Sequence, residues 1–261
     1  MIFCPLYSGS SGNSIFVASQ NAKILVDVGM PGKSIESALK HIDQNPNDID
    51  GIFITHEHSD HIKGAGIISR RFDIPIYANV ETWEAMKLKI GNIKEKNIKV
   101  INNNSVDIMD MHIVNYKISH DAAAPIGYAL YSANKKACIA TDLGRFSLEV
   151  KNIIKDADVL LLESNHDVEM VKFGPYPYPL KRRILSDVGH LSNDACGKAI
   201  VEIMNDKQRH IILGHLSKTN NFPELAYQTV VNILKENCIE IGRDISLNLA
   251  RRDMPSDVID F

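Results

Sequence analysis

The segment that most constrains this chain is Thr55-His56-Glu57-His58-Ser59-Asp60-His61, which follows the apolar run 51–54 and precedes a stretch of helical periodicity. Three histidines and an aspartate fall between His56 and His61. His56 and His58 are two residues apart, so in extended backbone their side chains project from one side and can address a single metal ion. Asp60 and His61 stand where the chain turns into the helix and can face a second ion. Neutral imidazole and carboxylate suit Zn2+, Mn2+ or Fe2+, and a set without thiolates argues against a closed structural zinc site. A polar loop that merely happens to be rich in histidine would not explain why all four groups gather at the end of a buried strand.

Around this motif the sequence is that of a globular protein. With 261 residues, 44% of them hydrophobic and 23% charged, it can bury a substantial core and is not a disordered chain. The net charge of −3 supplies no global basic field, so a nucleic-acid partner would have to be held by a local patch and by metal ions. Cys4, Cys138, Cys196 and Cys238 form no Cys-x-x-Cys pair, and three of them lie in apolar stretches where a small buried thiol is expected. No basic segment leads into an apolar leader, and no apolar run approaches the ~18 residues of a membrane span, which points to a reduced cytoplasm and no membrane partner.

Alternation predicts strands over 2–7, 15–18, 23–27 and 51–55, then 75–78. Pro31 opens a predicted helix to residue 41, with Ile35, Ala38, Leu39 and Ile42 at helical spacing. Further helices are expected over 62–72 and 81–89. Residues 98–140 read as strands, broken by the Asn102-Asn103-Asn104 turn and a connection at 132–135. The remainder alternates, with helices over 148–156, 180–187, 194–205 and 223–236, and strands over 159–162, 210–213 and 246–249. Strands gathered early in each half, with helices around them, predict an α+β chain of two face-to-face sheets covered outside by helices, in one domain over 1–261.

The metal motif resembles the signature of the metallo-β-lactamase superfamily, which implies a four-layer αββα sandwich with its site along one edge. Four more positions follow that superfamily's order: Asp27 in Leu25-Val26-Asp27-Val28-Gly29, His120 in Ser119-His120-Asp121, Asp142 in Ala140-Thr141-Asp142, and His215 in Leu213-Gly214-His215. By this resemblance His56, His58 and His120 hold one metal, Asp60, His61 and His215 hold the other, Asp142 bridges both, and Asp27 braces the metal loop. Taken singly, an aspartate at a strand end is usually a turn or cap residue, and a lone histidine a surface or satisfied core group. Their shared order and strand-end placement carry the joint reading. His41, His112 and His210 fit no such position and read as structural.

Finer segments narrow the resemblance. Ser8-Gly9-Ser10-Ser11-Gly12-Asn13-Ser14, the run from His120 to Tyr128, Glu163-Ser164-Asn165-His166-Asp167, Gly189-His190-Leu191-Ser192-Asn193 and the run from His215 to Asn221 together resemble the YycJ/WalJ group of bacterial metallo-β-lactamase-fold proteins. The likeness runs along essentially the whole chain and implies a DNA-processing nuclease with 5′→3′ exonuclease activity. The Ser/Gly/Asn loop, through Ser8, Ser10, Ser11 and Asn13, offers hydroxyls and backbone N–H groups to a phosphate; its plain alternative is a flexible strand connection. Lys181-Arg182-Arg183 could receive a neighbouring phosphate, or be a solvated helix face. Ser192 and Asn193 look first like N-cap residues at a helix terminus that can also receive an anion. His166 and His190 are candidates for substrate contact, with His190 a proton donor to the leaving oxygen and a capping or core role as the alternative for both.

The chemistry implied is phosphodiester hydrolysis by two divalent metals, with a hydroxide shared between them attacking phosphorus in line and Asp60 orienting it. The alternative is a thioesterase or lactonase of the glyoxalase II kind, which shares the ligand set. A flavodiiron-type reductase is disfavoured because His58 stands where a glutamate is usual, and a non-enzymatic scaffold because every ligand position is filled. Only 72 residues separate Asp142 from His215, too few for the inserted domain of a β-CASP nuclease.

Overall fold

The computed structural model describes residues 1–205 and 207–261. Its strands are β1 Ile2–Tyr7, β2 Ser14–Ala18, β3 Lys23–Val26, β4 Gly51–Phe53, β5 Ile76–Ala78, β6 Ile98–Val100, β7 Ser105–Ile108, β8 Met111–Lys117, β9 Ile126–Ser132, β10 Lys135–Ala140, β11 Val159–Glu163, β12 Arg209–Gly214, β13 Ile245–Leu249 and β14 Ile259–Asp260. They form two seven-stranded sheets, in the orders β14-β1-β2-β3-β4-β5-β6 and β13-β12-β11-β10-β9-β8-β7. Each sheet is antiparallel on one side and parallel on the other: β3 through β6 run parallel in the first, and β10 through β13 in the second.

The central strands are apolar on both faces, as strands sandwiched between layers must be. Ile15, Val17, Ile24 and Val26 meet Tyr128, Leu130, Ile139 and Leu161 between the sheets. From the same strands Phe16 and Leu25 turn outward, to Ile35 and Leu39 of α1 Gly32–His41 and to the other helices of that layer. Leu160, Leu162 and Leu213 of the second sheet face the opposite helix layer. The outer layers are α1, α3 Ala65–Phe72 and α4 Val80–Ile90 on one side, and α5 Leu148–Ile154, α8 Asn193–Ile203 and α9 Pro223–Glu236 on the other. The fold is a four-layer αββα sandwich, as the resemblance implied.

Three differences from the sequence expectations have local causes. The helix expected over 62–72 is divided into α2 Ser59–Ile62 and α3, because the Gly64 N–H donates to the Val28 carbonyl (2.8 Å) and the chain bends to reach it. The helix expected over 180–187 is α7 Tyr178–Ile184, displaced toward its N-terminus by proline in the first turn. A short helix missing from the sequence reading, α6 Val168–Phe173, is capped by Asp167, whose Oδ1 accepts from the Met170 N–H (2.8 Å), and ends at Gly174. No helix among the described residues is long and apolar enough to cross a membrane.

Candidate metal centre

The site lies where strands of both sheets end. Asp27 follows β3, the 55–61 segment follows β4, Asp142 follows β10, Glu163 closes β11 and His215 follows β12. Asp27, Asp142 and His215 each take left-handed backbone, with φ of 59°, 57° and 54°, which turns the chain sharply at the strand end. Such conformations cost of order 1–3 kcal/mol each and persist where the surroundings over-determine them. Residues 12–13, 29 and 60 crowd together: the Asn13 N–H donates to the Asp60 carbonyl and the Gly29 N–H to the Asn13 carbonyl, both at 2.8 Å. A Cβ at Gly29 would lie 1.6 Å from the Asp60 carbonyl oxygen, so only glycine fits that crossing.

Two groups of donors converge, with Asp142 between them. His56 Nε2 lies 3.0 Å from His58 Nδ1, which is 3.3 Å from His120 Nε2. In the second group His61 Nε2 lies 3.6 Å from Asp60 Oδ2, and His215 Nε2 is 3.8 Å from the same oxygen. Asp142 sends Oδ1 to within 3.5 Å of His120 Nε2 and Oδ2 to within 3.1 Å of His61 Nε2. The structure thus brings together all seven residues expected to hold metal.

Hydrogen bonds behind the cluster orient it. Asp27, 1% exposed, faces His61 Nδ1 at 2.8 Å with Oδ2, and also accepts from the Thr55 N–H and hydroxyl. His120 Nδ1 donates to the Gly189 carbonyl (3.0 Å), which leaves Nε2 a lone pair. Glu163, fully buried, receives both His215 Nδ1 (2.7 Å) and His190 Nδ1 (2.9 Å) on one oxygen. Carboxylates and carbonyls behind ligating imidazoles are the usual way tautomer and ring orientation are set. Sequence reasoning used the segment around Glu163 but gave the residue no role; its one sequence signal is a carboxylate closing an otherwise apolar strand.

The donors fit divalent cations on the geometry of this chain. Asp142 Oδ2 and His215 Nε2 are buried and have no hydrogen-bond partner, although both point into the cluster. Buried polar atoms are rarely left so, and a cation satisfies both. Burial opposes ionisation of Asp142, yet His215 and His61 beside it hold its carboxyl well below the usual range. Burial likewise opposes charge on His61, but Asp142, Asp27 and Asp60 outweigh it and hold its proton well above the imidazole range; similar forces push His215 up to about 10. A divalent ion would take the place of those protons, so metal uptake would release them.

The other expected site residues divide. Ser10 and Ser11 are exposed at the tip of their turn. Ser8 and Asn13, expected to meet phosphate, are corrected: both are 2% exposed, and their polar atoms are engaged inside. Ser8 Oγ accepts the His215 N–H at 2.8 Å, while Asn13 Oδ1 accepts the Gly9 N–H and its Nδ2 lies 3.1 Å from His61 Nε2. His166 is corrected on burial alone: it is 1% exposed, its Nδ1 has no hydrogen-bond partner, and burial pushes it down to about 4, so it is a neutral interior group. Ser192 caps α8, its Oγ accepting from the Ala195 N–H. His190 keeps a solvent-facing side chain, 18% exposed against 1% for His120 and 2% for His215.

Residues 7–215 match the Metallo-beta-lactamase superfamily. Exodeoxyribonuclease YycJ of Bacillus anthracis is 42% identical over 257 residues, covering 98% of this chain and 97% of that protein. Exodeoxyribonuclease WalJ of Streptococcus pneumoniae serotype 2 (strain D39 / NCTC 7466) is 41% identical, covering 93% and 91%. The crystal structure of Zn2+-bound PqqB from Methylobacterium extorquens superposes with a TM-score of 0.70 over 98% of this chain and all of that one, at 14% identity, a likeness of fold alone. A sandwich of this topology, a cluster assembled at its edge and these full-length similarities lead to one conclusion: the chain belongs to the metallo-β-lactamase superfamily and, within it, to the family of the YycJ and WalJ proteins.

Proposed function

We propose that residues 1–261 act as one unit, a two-metal phosphodiester hydrolase that degrades DNA as a 5′→3′ exonuclease in the cytoplasm. The observation that carries the choice of substrate is the near full-length similarity to two proteins named exodeoxyribonucleases. Four free cysteines, three of them buried, accord with a reducing compartment.

His56, His58 and His120 would hold one cation, Asp60, His61 and His215 the other, with Asp142 shared. Zn2+, Mn2+ or Fe2+ bound there would neutralise phosphoryl oxygens and make water acidic enough to deprotonate near neutral pH. Asp60, whose side chain is 24% exposed, stands between the donors and solvent and orients the attacking water through its carboxylate. His190 has Nδ1 committed to Glu163, so Nε2 is the nitrogen left for substrate, and with the ring in its doubly protonated form it would give a proton to the departing 3′ oxygen. Ser10 and Ser11 remain the hydroxyls of the first loop that a backbone phosphate can reach.

The test is cleavage of 5′-phosphorylated duplex DNA, single-stranded DNA and RNA with Mn2+ or Zn2+, with Asp142→Asn alongside. Metal-dependent release of nucleotides from the 5′ end, lost in the variant, is the expected result. Hydrolysis of thioesters or lactones with no nucleic acid cleaved would overturn the proposal.

A further inference from the structure

Arg209 and Arg252 are the arginines withdrawn from solvent, and their surroundings treat them differently. Arg209, 1% exposed, donates to the carbonyls of Lys155, Ile203 and Lys207 and to Asn205 Oδ1, as an interior cation with a structural role must. Arg252, half-buried in the segment after β13, has one hydrogen bond among the described residues, from Nη2 to the Leu216 carbonyl (3.1 Å). Its Nε is buried without a partner. It forms no ion pair among the described residues, although its neighbour Arg251 pairs with Asp257. Nη1 has no partner in the protein either and, unlike Nε, is not enclosed. A cation left so far short of its bonding capacity is unfavourable for the fold, and its position supplies the reason to keep it.

That position is the rim of the metal centre. The guanidinium lies against Gly9 and Leu216, which pair as adjacent parallel strands do. A Cβ on Gly9 would stand 3.2 Å from Arg252 Cγ and Nε, so glycine lets the side chain cross there. Both contacts are one residue from the site, because Ser8 accepts the His215 N–H (2.8 Å). The turn from Gly9 to Gly12, closed by the Gly12 N–H to the Gly9 carbonyl (3.0 Å), carries the exposed Ser10 and Ser11. Beyond it the Asn13 N–H reaches the Asp60 carbonyl. The N–H groups of Ser10 and Ser11 have no partner among the described residues. Asp253, next to Arg252, does not pair with it; it stands near Tyr7, whose hydroxyl is pushed up by burial and by this carboxylate. An underused guanidinium, two hydroxyls and free N–H groups therefore border the Asp60 and His215 side of the metal centre.

We infer that Arg252 and the Ser10–Ser11 turn form a phosphate-binding subsite, which holds the phosphate next to the scissile one along the substrate strand. The bond to Leu216 fixes the guanidinium, and its remaining N–H groups can donate to two oxygens of one phosphate. The hydroxyls and N–H groups of the turn add further donors to the same anion. A phosphate supplies the negative charge that no carboxylate of the chain brings to Arg252, and it offers the same oxygens whatever the base and whether or not the strand is paired. On a chain of net charge −3 a fixed cation at the edge of the site does what the global field cannot. Held there, the strand is registered on the cations, so that one linkage and not its neighbour meets the attacking water. The phosphate is a terminal 5′-phosphate or an internal linkage, which share this chemistry. The inference rests on the nuclease reading and adds the residue that positions the substrate.

The experiment compares kcat/KM of the metal-loaded full chain on a 5′-phosphorylated DNA duplex, on the same duplex with a 5′-hydroxyl end, and on bis(p-nitrophenyl) phosphate, which has no second phosphate. Arg252→Gln keeps an N–H group for the Leu216 carbonyl and removes the charge. The ratio of its DNA value to its small-ester value should fall roughly tenfold to a hundredfold, as for a lost charge-assisted bond. The log–log slope of DNA turnover against salt should flatten by about 0.9, the share of one phosphate contact. Arg252→Lys keeps the charge without the fork, and should restore the slope but only part of the ratio. A rate on the phosphorylated end that falls to that on the hydroxyl end assigns the terminal phosphate; equal proportional falls on both ends assign the internal linkage. An unchanged ratio overturns the inference and leaves the nuclease reading standing. So does a parallel loss on DNA and small ester, which would make Arg252 a mere support of the His215 loop. A wild-type protein that cleaves the small ester but no DNA overturns both.

Discussion

Replacing Glu163 by glutamine changes almost no volume and tests whether one buried carboxylate orders half of the site. Its Oε1 receives His215 and His190, and its Oε2 accepts the N–H groups of Leu143 (2.6 Å) and Leu191 (3.1 Å). Glutamine keeps one acceptor; whichever way its amide turns, an NH2 group meets two donors. Two charge-assisted hydrogen bonds of about 1.5–3 kcal/mol each are lost, a sum that overlaps the roughly 3–5 kcal/mol range for unpairing a buried ionic group. At about 2–4 °C per kcal/mol for a chain of this size, the metal-free variant should melt roughly 10 °C lower. The pH dependence has a definite sign. Burial pushes the Glu163 carboxyl up, but His190 and His215 outweigh it and hold it down from its ordinary 4.5 to about 2. A depressed folded-state value stabilises the fold fully above the ordinary value and loses that contribution as pH falls through the folded one. Urea unfolding of metal-free protein should therefore show a wild-type advantage that is full above pH 4.5 and shrinks toward pH 2. Turnover should fall about 10–100-fold as His190 and His215 lose their orientation. A variant that melts within 2 °C of wild type, with a difference flat in pH and unimpaired turnover, would refute this account of Glu163.

Asp142→Asn and His58→Ala should abolish turnover with circular dichroism unchanged; wild-type activity in either removes the metal assignment. Asp27→Asn, which leaves one acceptor oxygen for His61 Nδ1, the Thr55 N–H and the Thr55 hydroxyl, should weaken metal binding about 10–100-fold, and a chelator competition showing equal affinity would refute the bracing role. Thiol reagents should modify Cys238 rapidly in the folded protein and the other three only on unfolding. Burial pushes the thiols of Cys4 and Cys138 up to about 12 and raises that of Cys196 as well, whereas Cys238 is exposed; a second fast-reacting thiol would contradict this.

What was legible in the sequence was local. His56, His58, Asp60 and His61 stand in one short run, whereas Asp27, Asp142 and His215, each after an apolar strand, were placed by the order they share with the superfamily. Glu163 was not legible because its role comes from partners 27 and 52 residues away. Ser8 and Asn13 were misplaced because loop composition shows which groups can bond, not which way they turn. Here the backbone N–H groups of His215 and Gly9 needed acceptors, and these side chains supplied them. The break at Gly64 has the same character, since a helix that is continuous by periodicity yields to a contact with Val28. The pairing of β14 with β1 joins opposite ends of the chain and leaves no local mark beyond two residues.

The division of the ligands between the sheets explains why the site sits at an edge. Two donors of each proposed metal position come from the segment after β4 in the first sheet, His56 with His58 and Asp60 with His61. The third of each comes from the other half of the sandwich, His120 after β8 and His215 after β12. Asp142, after β10, reaches both. Neither half holds a complete set, and the apolar contact between the sheets is joined by scattered hydrogen bonds such as His215 N–H to Ser8 Oγ and the Tyr128 hydroxyl to the Ile54 carbonyl, both 2.8 Å. Ions bound across this edge would tie the layers together where no strand ladder does, adding about 4 kcal/mol of stability when free metal is a thousand times the dissociation constant. The left-handed turns at Asp27, Asp142 and His215 are then a cost set against this gain, since straight strand ends would aim the same side chains elsewhere.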